Sequence, residues 1–307
     1  SRRNIRIKVL QALYSFSSNE NPPATAEIQK NLRKQFEQTG ALLVYLVHYL
    51  VEIALYAGVN ARNRASRLLP SEKDLNVDAR LSENDCLLAI QNDPQFTEAV
   101  KKYKPELVTD SELVKKLFRE LEATPEYRDY LDAPQQNRKQ AQEMMRFILA
   151  GIMLPSEDFE SEATEQFSNY DDDIEMLFAL VAGYLEKPGS ITFTRIISRE
   201  KELFAQQLAQ DTIEKEEVAM EFIKPRLRNW DAERVARIDM LLLRMGICEL
   251  LFFETIPPKV TLNEYIDLAK EYSTVQSGQF VNGILDNIHK ELLEQNRIHK
   301  VDFRKAK

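Results

Sequence analysis

The sequence predicts an all-α protein with about two domains. The chain has 307 residues, about twice the roughly 150 that are typical of one domain. It contains only 8 Gly and 12 Pro, too few turn residues for many short strands. Apolar residues recur every three or four positions through much of its length, which is the period of a helix that faces a core. Hydrophobic residues at 44% and charged residues at 29% exclude the fibrous and disordered classes.

The first predicted helix lies at the start of the chain and carries three arginines in its first two turns. Its apolar face is formed by Ile5, Val9, Ala12, Leu13 and Phe16. Arg2, Arg3 and Arg6 lie three and four residues apart on another face. Cations at a helix N-terminus oppose the macrodipole, so this arrangement serves a purpose other than local stability. The segment from Asn19 to Ala24 contains paired prolines and ends the helix.

Residues 41–59 form the most apolar stretch of the chain, ALLVYLVHYLVEIALYAGV. Its length is close to the roughly 18 residues that can cross a membrane. His48 and Glu52 interrupt it and would need partners inside lipid, so we favour a buried core helix over a membrane span. The same two residues are four apart, as in some metal sites. Without a third ligand, a hydrogen-bonded pair on a helix surface is the better interpretation.

The middle of the chain shows no recognisable chemistry. Residues 62–155 are predicted to form several helices separated by prolines. Between Glu157 and Glu175 lie nine acidic residues and no Lys or Arg. We interpret this stretch as a solvated connection that also caps the next helix. A calcium site there is disfavoured, because the glycine and alternating oxygen ligands of an EF-hand loop are absent.

The last hundred residues predict three helices. The first has Asp231 as its N-cap and an apolar stripe over residues 235–252. Thr261 and Glu264 fit a capping box at the start of the second. Ser277 is predicted to cap the third. The apolar stripe of this last helix consists of Phe280, Ile284, Ile288 and Leu292.

The net charge of −8 is distributed unevenly. Residues 1–10 and residues 297–307 each carry +4, so residues 11–296 carry −16. This acidic body argues against a protein that coats nucleic acid, whereas a small electropositive site is compatible with it. We interpret the basic tail, residues 297–307, as a solvated end of the chain.

No catalytic or metal site is predicted. Gly-rich nucleotide loops of the GxGxxG and GxxxxGK[ST] types are absent. Cys86 and Cys248 lie outside any CxxC pattern, and Cys248 is interpreted as a small core residue. The three histidines have no nearby nucleophile that the sequence identifies. We therefore expect neither enzyme activity nor a cofactor. The cysteine usage and the lack of a secretory signal at the start favour a cytoplasmic protein.

The start of the last predicted helix is a candidate binding site. The amides of Gly278, Gln279 and Phe280 are expected to be free at this helix N-terminus, where anions such as phosphate bind. Phe280 lies where it would stack on an unpaired base, a contact worth about 1–3 kcal/mol. The alternative is that Phe280 is simply the first core residue of its stripe, and periodicity alone favours that alternative.

Several short segments form a specific combination. They are Arg2-Arg3-Asn4-Ile5-Arg6 followed by Gln11-Ala12-Leu13-Tyr14-Ser15, Ile256-Pro257-Pro258-Lys259-Val260, Asn263-Glu264, Leu268-Ala269-Lys270, and SGQFVNGILD over residues 277–286. Together they resemble the NusB transcription antitermination factor family. The resemblance covers residues 1–16 and 199–296, a little over a third of the chain.

The resemblance implies an all-α fold of two packed helical bundles, here with a large additional helical region. Its boundaries place an N-terminal helix of the NusB-like core in residues 1–35 and the C-terminal bundle in residues 199–296. Residues 36–198 then form an inserted or lineage-specific helical region, and residues 297–307 the basic tail. The sequence gives no role for the inserted region.

The resemblance also implies a function. In that family the arginine-rich N-terminus and the FVNG region bind boxA RNA, a short single-stranded element of ribosomal RNA leaders. The partner is a small-subunit ribosomal protein, called NusE in this context, and the pair acts on RNA polymerase to suppress premature termination. By matching position, the implied RNA-binding residues are Arg2, Arg3, Arg6, Gln279, Phe280 and Asn282. The implied residues at the ribosomal partner are Tyr14 and Asp239.

Two departures from the family pattern concern the RNA contacts. Asn4 stands where a third consecutive Arg is common, and Gln279 stands where Lys is common. Each missing phosphate contact would weaken RNA binding and lower its salt dependence by about one unit of slope. A helical scaffold that binds only protein is therefore the first alternative. The second is an appendage of a ribosomal RNA methyltransferase, which would need a Gly-rich cofactor domain that the sequence lacks.

Overall fold

The computed structural model describes residues 2–17, 24–134, 137–227 and 235–301. Within these ranges every regular element is a helix, which confirms the predicted all-α class. The α-helices are α1 (Arg2–Ser15), α2 (Thr25–Ala65), α3 (Glu72–Leu75), α4 (Asp85–Gln91), α5 (Pro94–Tyr103), α6 (Ser111–Glu122), α7 (Pro125–Asp132), α8 (Arg138–Phe147), α9 (Glu157–Gln166), α10 (Tyr170–Glu186), α11 (Arg199–Glu214), α12 (Glu216–Ile223), α13 (Arg237–Phe252), α14 (Pro258–Tyr272) and α15 (Val275–Glu294). A π-helical stretch, Ile148–Met153, follows α8.

The chain divides into two compact units. Unit 1 consists of Ser1–Gln35 and Ile197–Lys307, and unit 2 is the continuous segment Phe36–Ile196. Unit 2 carries 28 acidic and 17 basic residues, a formal charge of −11, whereas unit 1 carries +3. The acidity of the protein is therefore concentrated in unit 2.

Helix α13 is the centre of unit 1. It contacts α1, α11, α12, α14 and α15, and its apolar side chains from Leu241 to Leu250 are at most 8% exposed. Gly246 lets α15 approach closely, because a β-carbon there would lie 3.1 Å from the side chain of Leu285. The helix begins at Arg237, close to the start of the predicted stripe. Its predicted N-cap, Asp231, lies outside the described residues, as does most of the predicted breaker, residues 19–23.

The last two helices begin earlier than predicted. Helix α14 starts at Pro258, so Thr261 lies inside it and does not form the predicted capping box. Proline is favoured at a first helical position, where its missing N–H costs nothing. Helix α15 starts at Val275 with Thr274 as its N-cap, so the prediction that Ser277 caps this helix is wrong. Ser277 is instead a buried residue of the first turn.

Unit 2 is organised around α2, whose apolar side chains from Leu42 to Ala57 are mostly buried in its core. By length and composition, α2 is the one helix among the described residues that would suffice to cross a membrane. However, 72% of its most apolar window is buried inside the protein, as the core-helix interpretation expects. His48 and Glu52 form a loose pair on its side, 4.0 Å apart. Burial lowers the pKa of His48 despite the nearby carboxylates.

The acidic stretch after residue 156 is more ordered than predicted. It forms α9, capped by the Ser156 hydroxyl, where a solvated connection was expected. Phe159 is completely buried. The Glu162 carboxylate accepts hydrogen bonds from the hydroxyls of Tyr45 and Tyr49 at 2.9 and 3.1 Å. This acidic helix is therefore fastened to α2 by both apolar and polar contacts.

The C-terminal segment docks on unit 1 as far as it is described. Lys300 Nζ donates to the carbonyls of Glu249 and Phe253 at 3.0 and 2.7 Å, which caps the C-terminal end of α13. The Arg297 guanidinium lies 4.8 Å from the centre of the Phe222 ring. Residues 297–301 are thus not the solvated end that was predicted. Residues 302–307 lie outside the described range.

Candidate nucleic-acid interface

The candidate interface begins with the N-terminal end of α1. Ile5, Val9 and Leu10 bury one face of this helix in unit 1, where it packs on α11 and α13. Residues 5–10 are buried on every side, so it is the first turn, with Arg2 and Arg3, that presents cations at the surface. The side chains of Arg2 and Arg3 remain 41% and 36% exposed at the start of the helix.

Arg6, by contrast, is a core residue. It is 1% exposed, and its guanidinium donates from Nε and Nη2 to both carboxylate oxygens of Glu249, at 2.8 and 2.7 Å. Glu249 is completely buried and also accepts from the hydroxyls of Thr261 and Tyr265. Burial alone would lower the pKa of Arg6, but the hydrogen bonds and charge of Glu249 outweigh it and raise that pKa above its ordinary value.

This network makes Arg6 inaccessible to a phosphate, which corrects the expected direct contact. Its second neighbour, Glu264, lies 3.5 Å from Nη1. Losing the bidentate pair would leave Glu249 charged in the interior, so the pair is hard to exchange for an external anion. In the structure Arg6 holds α1 against α13 and α14.

The two outer arginines are paired at the surface. Arg2 Nη2 lies 2.9 Å from the carboxylate of Glu200, and Arg3 Nη2 lies 2.6 Å from that of Glu271. Arg3 also has Glu264 within 3.9 Å. Exposed pairs of this kind contribute about 0–1 kcal/mol, so a phosphate can compete for either guanidinium. The positive charge of the cluster is nevertheless largely balanced in the free protein.

The second part of the interface is the first half of α15. Gln279 and Asn282 are exposed and Phe280 is half-buried. Because α15 begins at Val275, the amide of Gly278 is already bonded to the carbonyl of Thr274. The prediction of free amides at residues 278–280 is therefore wrong. Phe280 stands at the margin of the core.

The structure brings these two parts to the same end of unit 1. Arg3 contacts Glu271 in the last turn of α14, and α15 begins three residues after α14 ends at Tyr272. The neighbouring Lys270 packs its aliphatic stem over Gly278, where a β-carbon would come within 2.5 Å of it. The start of α1 and the start of α15 are thus joined through one turn of α14.

The two expected partner-binding residues differ in accessibility. Tyr14 is 46% exposed and lies near the C-terminal end of α1, roughly 18 Å along the helix axis from Arg2. Asp239 is 5% exposed and accepts a hydrogen bond from the Ser277 hydroxyl at 2.8 Å. In the structure Asp239 therefore links α13 to α15 and presents little surface to a partner.

The remaining reactive groups are placed in the core. Cys86 and Cys248 are buried free thiols, and burial raises their pKa values to about 11 and about 12. No group of three or more metal-ligating side chains is found in the part of the chain that the structure describes.

The sequence reasoning missed the carboxylates that face the arginines. Glu200, Glu249, Glu264 and Glu271 come from three different helices and lie roughly 195 to 270 residues along the chain from their partners. Only Glu249 left a signal, as the single charge within residues 245–253 of an otherwise apolar stretch. A charge buried in such a run needs a partner, and Arg6 is likewise flanked by Ile5 and Ile7.

The fold and the site together define an all-helical binding protein with a compact, charge-balanced cationic end. A sequence model of the NusB family matches residues 140–290. The protein of Exiguobacterium sp. named transcription antitermination protein NusB is 37% identical over 118 residues, which are 38% of this chain and 91% of that protein. The chain belongs to the NusB family.

Other relatives carry the same name. The protein of Salinibacter ruber is 47% identical over 97 residues, 32% of this chain and 61% of that protein. The protein of Methylacidiphilum infernorum is 40% identical over 99 residues, 32% of this chain and 68% of that protein. The chain thus spans less than two thirds of the Salinibacter protein. No solved structure matches the chain.

Proposed function

We propose that this protein is a cytoplasmic transcription antitermination factor that binds boxA-type single-stranded RNA. Membership of the NusB family and the names of three relatives support this function. The observation that carries it is the placement of Arg2 and Arg3 at the same end of unit 1 as Gln279, Phe280 and Asn282. Exposed cations beside an aromatic ring suit a single strand, which offers phosphates and unpaired bases.

RNA binding then proceeds by exchange of anions. Phosphates replace Glu200 on Arg2 and Glu271 on Arg3, because the surface pairs are weak and a phosphate is the better partner for a guanidinium. Arg6 is a positioning residue, which keeps the start of α1 fixed against α14 while its outer neighbours change partners. Phe280 stacks on one base, and the amides of Gln279 and Asn282 contact its edge.

The proposed partners are the ribosomal protein NusE and RNA polymerase. Tyr14 offers an exposed aromatic side chain for such a protein contact. Asp239 acts indirectly in this proposal, since it fixes the first turn of α15 through Ser277. Residues 36–198 are proposed to be an insertion in the NusB-like core, which residues 1–35 and 199–296 form. The family match over residues 140–290 extends into the last part of this insertion, residues 140–198.

The balanced charge of the arginines favours the scaffold as the second candidate. A protein whose exposed arginines stay bound to Glu200 and Glu271 would keep the helical core and bind proteins without RNA. The two functions differ in salt dependence, because an RNA binder releases counterions and loses affinity steeply as salt rises.

Fluorescence anisotropy with a labelled boxA-type RNA tests the proposal. The Arg2→Ala/Arg3→Ala variant should bind more weakly, with a log–log salt slope lower by about two units. Glu271→Gln should bind up to about fivefold more tightly, since it frees Arg3 from a pair worth up to about 1 kcal/mol. Lys290→Ala, on the later part of α15, is the control and should behave like the parent protein. No measurable binding of the RNA by the parent protein would favour the scaffold. Equal affinity of all four proteins would refute the assignment of Arg2 and Arg3 to the RNA site.

A further inference from the structure

A loop in unit 2 presents two leucines to solvent. The side chains of Leu68 and Leu69 are 98% and 89% exposed. They lie in a loop that Asp74 closes, since its carboxylate accepts from Arg67 Nη1 and from the Ser71 amide, both at 3.0 Å. Asp74 itself is only 7% exposed. The loop therefore holds its leucines outward without having to be ordered by a partner.

A concave pocket of about 360 Å³ lies between α7 and α8 in the same unit. Its floor is apolar, with Tyr130 and Met144 6% and 4% exposed and Phe147 half-buried. The Phe147 ring covers Gly151, where a β-carbon would come within 2.8 Å of it. The glycine thus gives the ring its place beside the pocket.

The loop and the pocket are complementary in polarity and in charge. The pocket is bordered by the exposed carboxylates of Glu126 and Asp129, which form no ion pair among the residues that the structure describes. The loop is flanked by the exposed Arg62 and Lys73, which likewise form none in that part of the chain and outnumber the one exposed carboxylate beside them, Glu72. An apolar pair between cations would thus meet an apolar floor between anions.

We propose that Leu68 and Leu69 of one copy of this protein insert into the α7–α8 pocket of a second copy, and that the same leucines of the second copy insert into the pocket of the first. The loop follows α2, whose Arg64 contacts Glu122 at the end of α6, and the pocket is lined by α7, which begins three residues later. One two-fold axis near α7 then creates both contacts at once, as in closed dimers with self-complementary surfaces. The surface lies in unit 2 and does not depend on the proposed RNA site.

Sedimentation of the full chain from about 1 to about 200 µM tests the proposal, because interfaces of this small size dissociate in that range. The parent protein should shift from monomer to dimer. Leu68→Ser/Leu69→Ser and Glu126→Lys/Asp129→Lys should each stay monomeric. All four positions are exposed or lie on the pocket border, so neither variant disturbs the core. Leu107→Ser, at another leucine of unit 2 that is 75% exposed, is the control and should dimerise like the parent.

Mixing the two monomeric variants sharpens the test. The pocket variant keeps its loop and the loop variant keeps its pocket, so a mixed dimer can form one of the two contacts. Dimers should therefore reappear, with weaker association than in the parent. A parent protein that is monomeric throughout, loop variants that still dimerise, or a mixture without dimers would each overturn the proposal.

Discussion

Replacing Arg6 by methionine should destabilise unit 1 by about 3–5 kcal/mol. Arg6→Met removes hydrogen bonds of 2.8 and 2.7 Å from Glu249, whose side chain is completely buried. Thr261 and Tyr265 would be its remaining donors. A carboxylate left without its cation in the interior has a cost of this size, because the attraction that offset its desolvation is lost.

The double variant Arg6→Met/Glu249→Leu separates this explanation from simple loss of packing. With both charges of the pair gone, the double variant should be more stable than Arg6→Met and lie within about 2–3 kcal/mol of the parent. The remaining loss arises because the buried hydroxyls of Thr261 and Tyr265 no longer have an acceptor. Urea denaturation followed by circular dichroism gives the free energies of unfolding. Hydrogen exchange of peptides from α13 and α14 assigns the loss to unit 1.

The control is the exposed pair of Arg2 and Glu200. Arg2→Met should change the free energy of unfolding by less than about 1 kcal/mol, since its partner is a surface carboxylate. The reasoning fails if Arg6→Met costs no more than Arg2→Met, or if the double variant is as unstable as the sum of its two single variants.

Three further predictions concern other parts of the fold. Burial lowers the pKa of Lys300 to about 8, so competitive acylation with mass spectrometry should give a titration midpoint near that pH. The free energy of unfolding should rise as the pH increases from about 8 toward the ordinary lysine pKa of about 10.5, because the unfolded chain then binds more protons than the folded one. Lys300→Met should remove this trend. Gly246→Ala should lower the free energy of unfolding by about 1–3 kcal/mol, because the new β-carbon would lie 3.1 Å from the side chain of Leu285. Helix propensity alone would raise the melting temperature, and such a rise would contradict this reasoning. Glu162→Ala should cost about 2 kcal/mol, because the hydroxyls of Tyr45 and Tyr49 lose an acceptor, and faster hydrogen exchange in α2 would register it.

The apolar periodicity of the sequence was sufficient to predict the helices that bury one continuous face, such as α1 and α13. The amphipathic period at the start of the chain predicted a helix whose apolar stripe reaches Phe16, and α1 ends at Ser15. The apolar stripe over residues 235–252 likewise ends with α13 at Phe252. In both, the repeat of buried positions extends over several turns, so it does not depend on distant partners.

The predicted starts of α14 and α15 were wrong because the hydroxyl groups that were expected to cap them bind carboxylates of α13 instead. Thr261 has the side chain of an N-cap, but its hydroxyl donates to Glu249 from inside α14. Ser277 likewise donates to Asp239 of α13. A serine or threonine satisfies a buried carboxylate as well as a helix terminus, and only the tertiary structure decides between them.

The candidate site was predicted only in part for the same reason. The sequence identified Arg2, Arg3 and Arg6 but treated them as equivalent. Their difference arises from carboxylates far away in the chain, which bury one arginine and leave two at the surface. Periodicity assigns a residue to a face, whereas the charge opposite that face depends on which helices meet there.

Glu249 is held from both ends of the chain, through its side chain by Arg6 and through its carbonyl by Lys300. During synthesis α1 must therefore wait for a residue 243 positions later, which at about 5–20 residues per second is a delay of roughly 10–50 s. Unit 2 is continuous and can complete its core as soon as it has left the ribosome. Chaperones that shield nascent apolar helices should thus hold α1 until α13 has been synthesised.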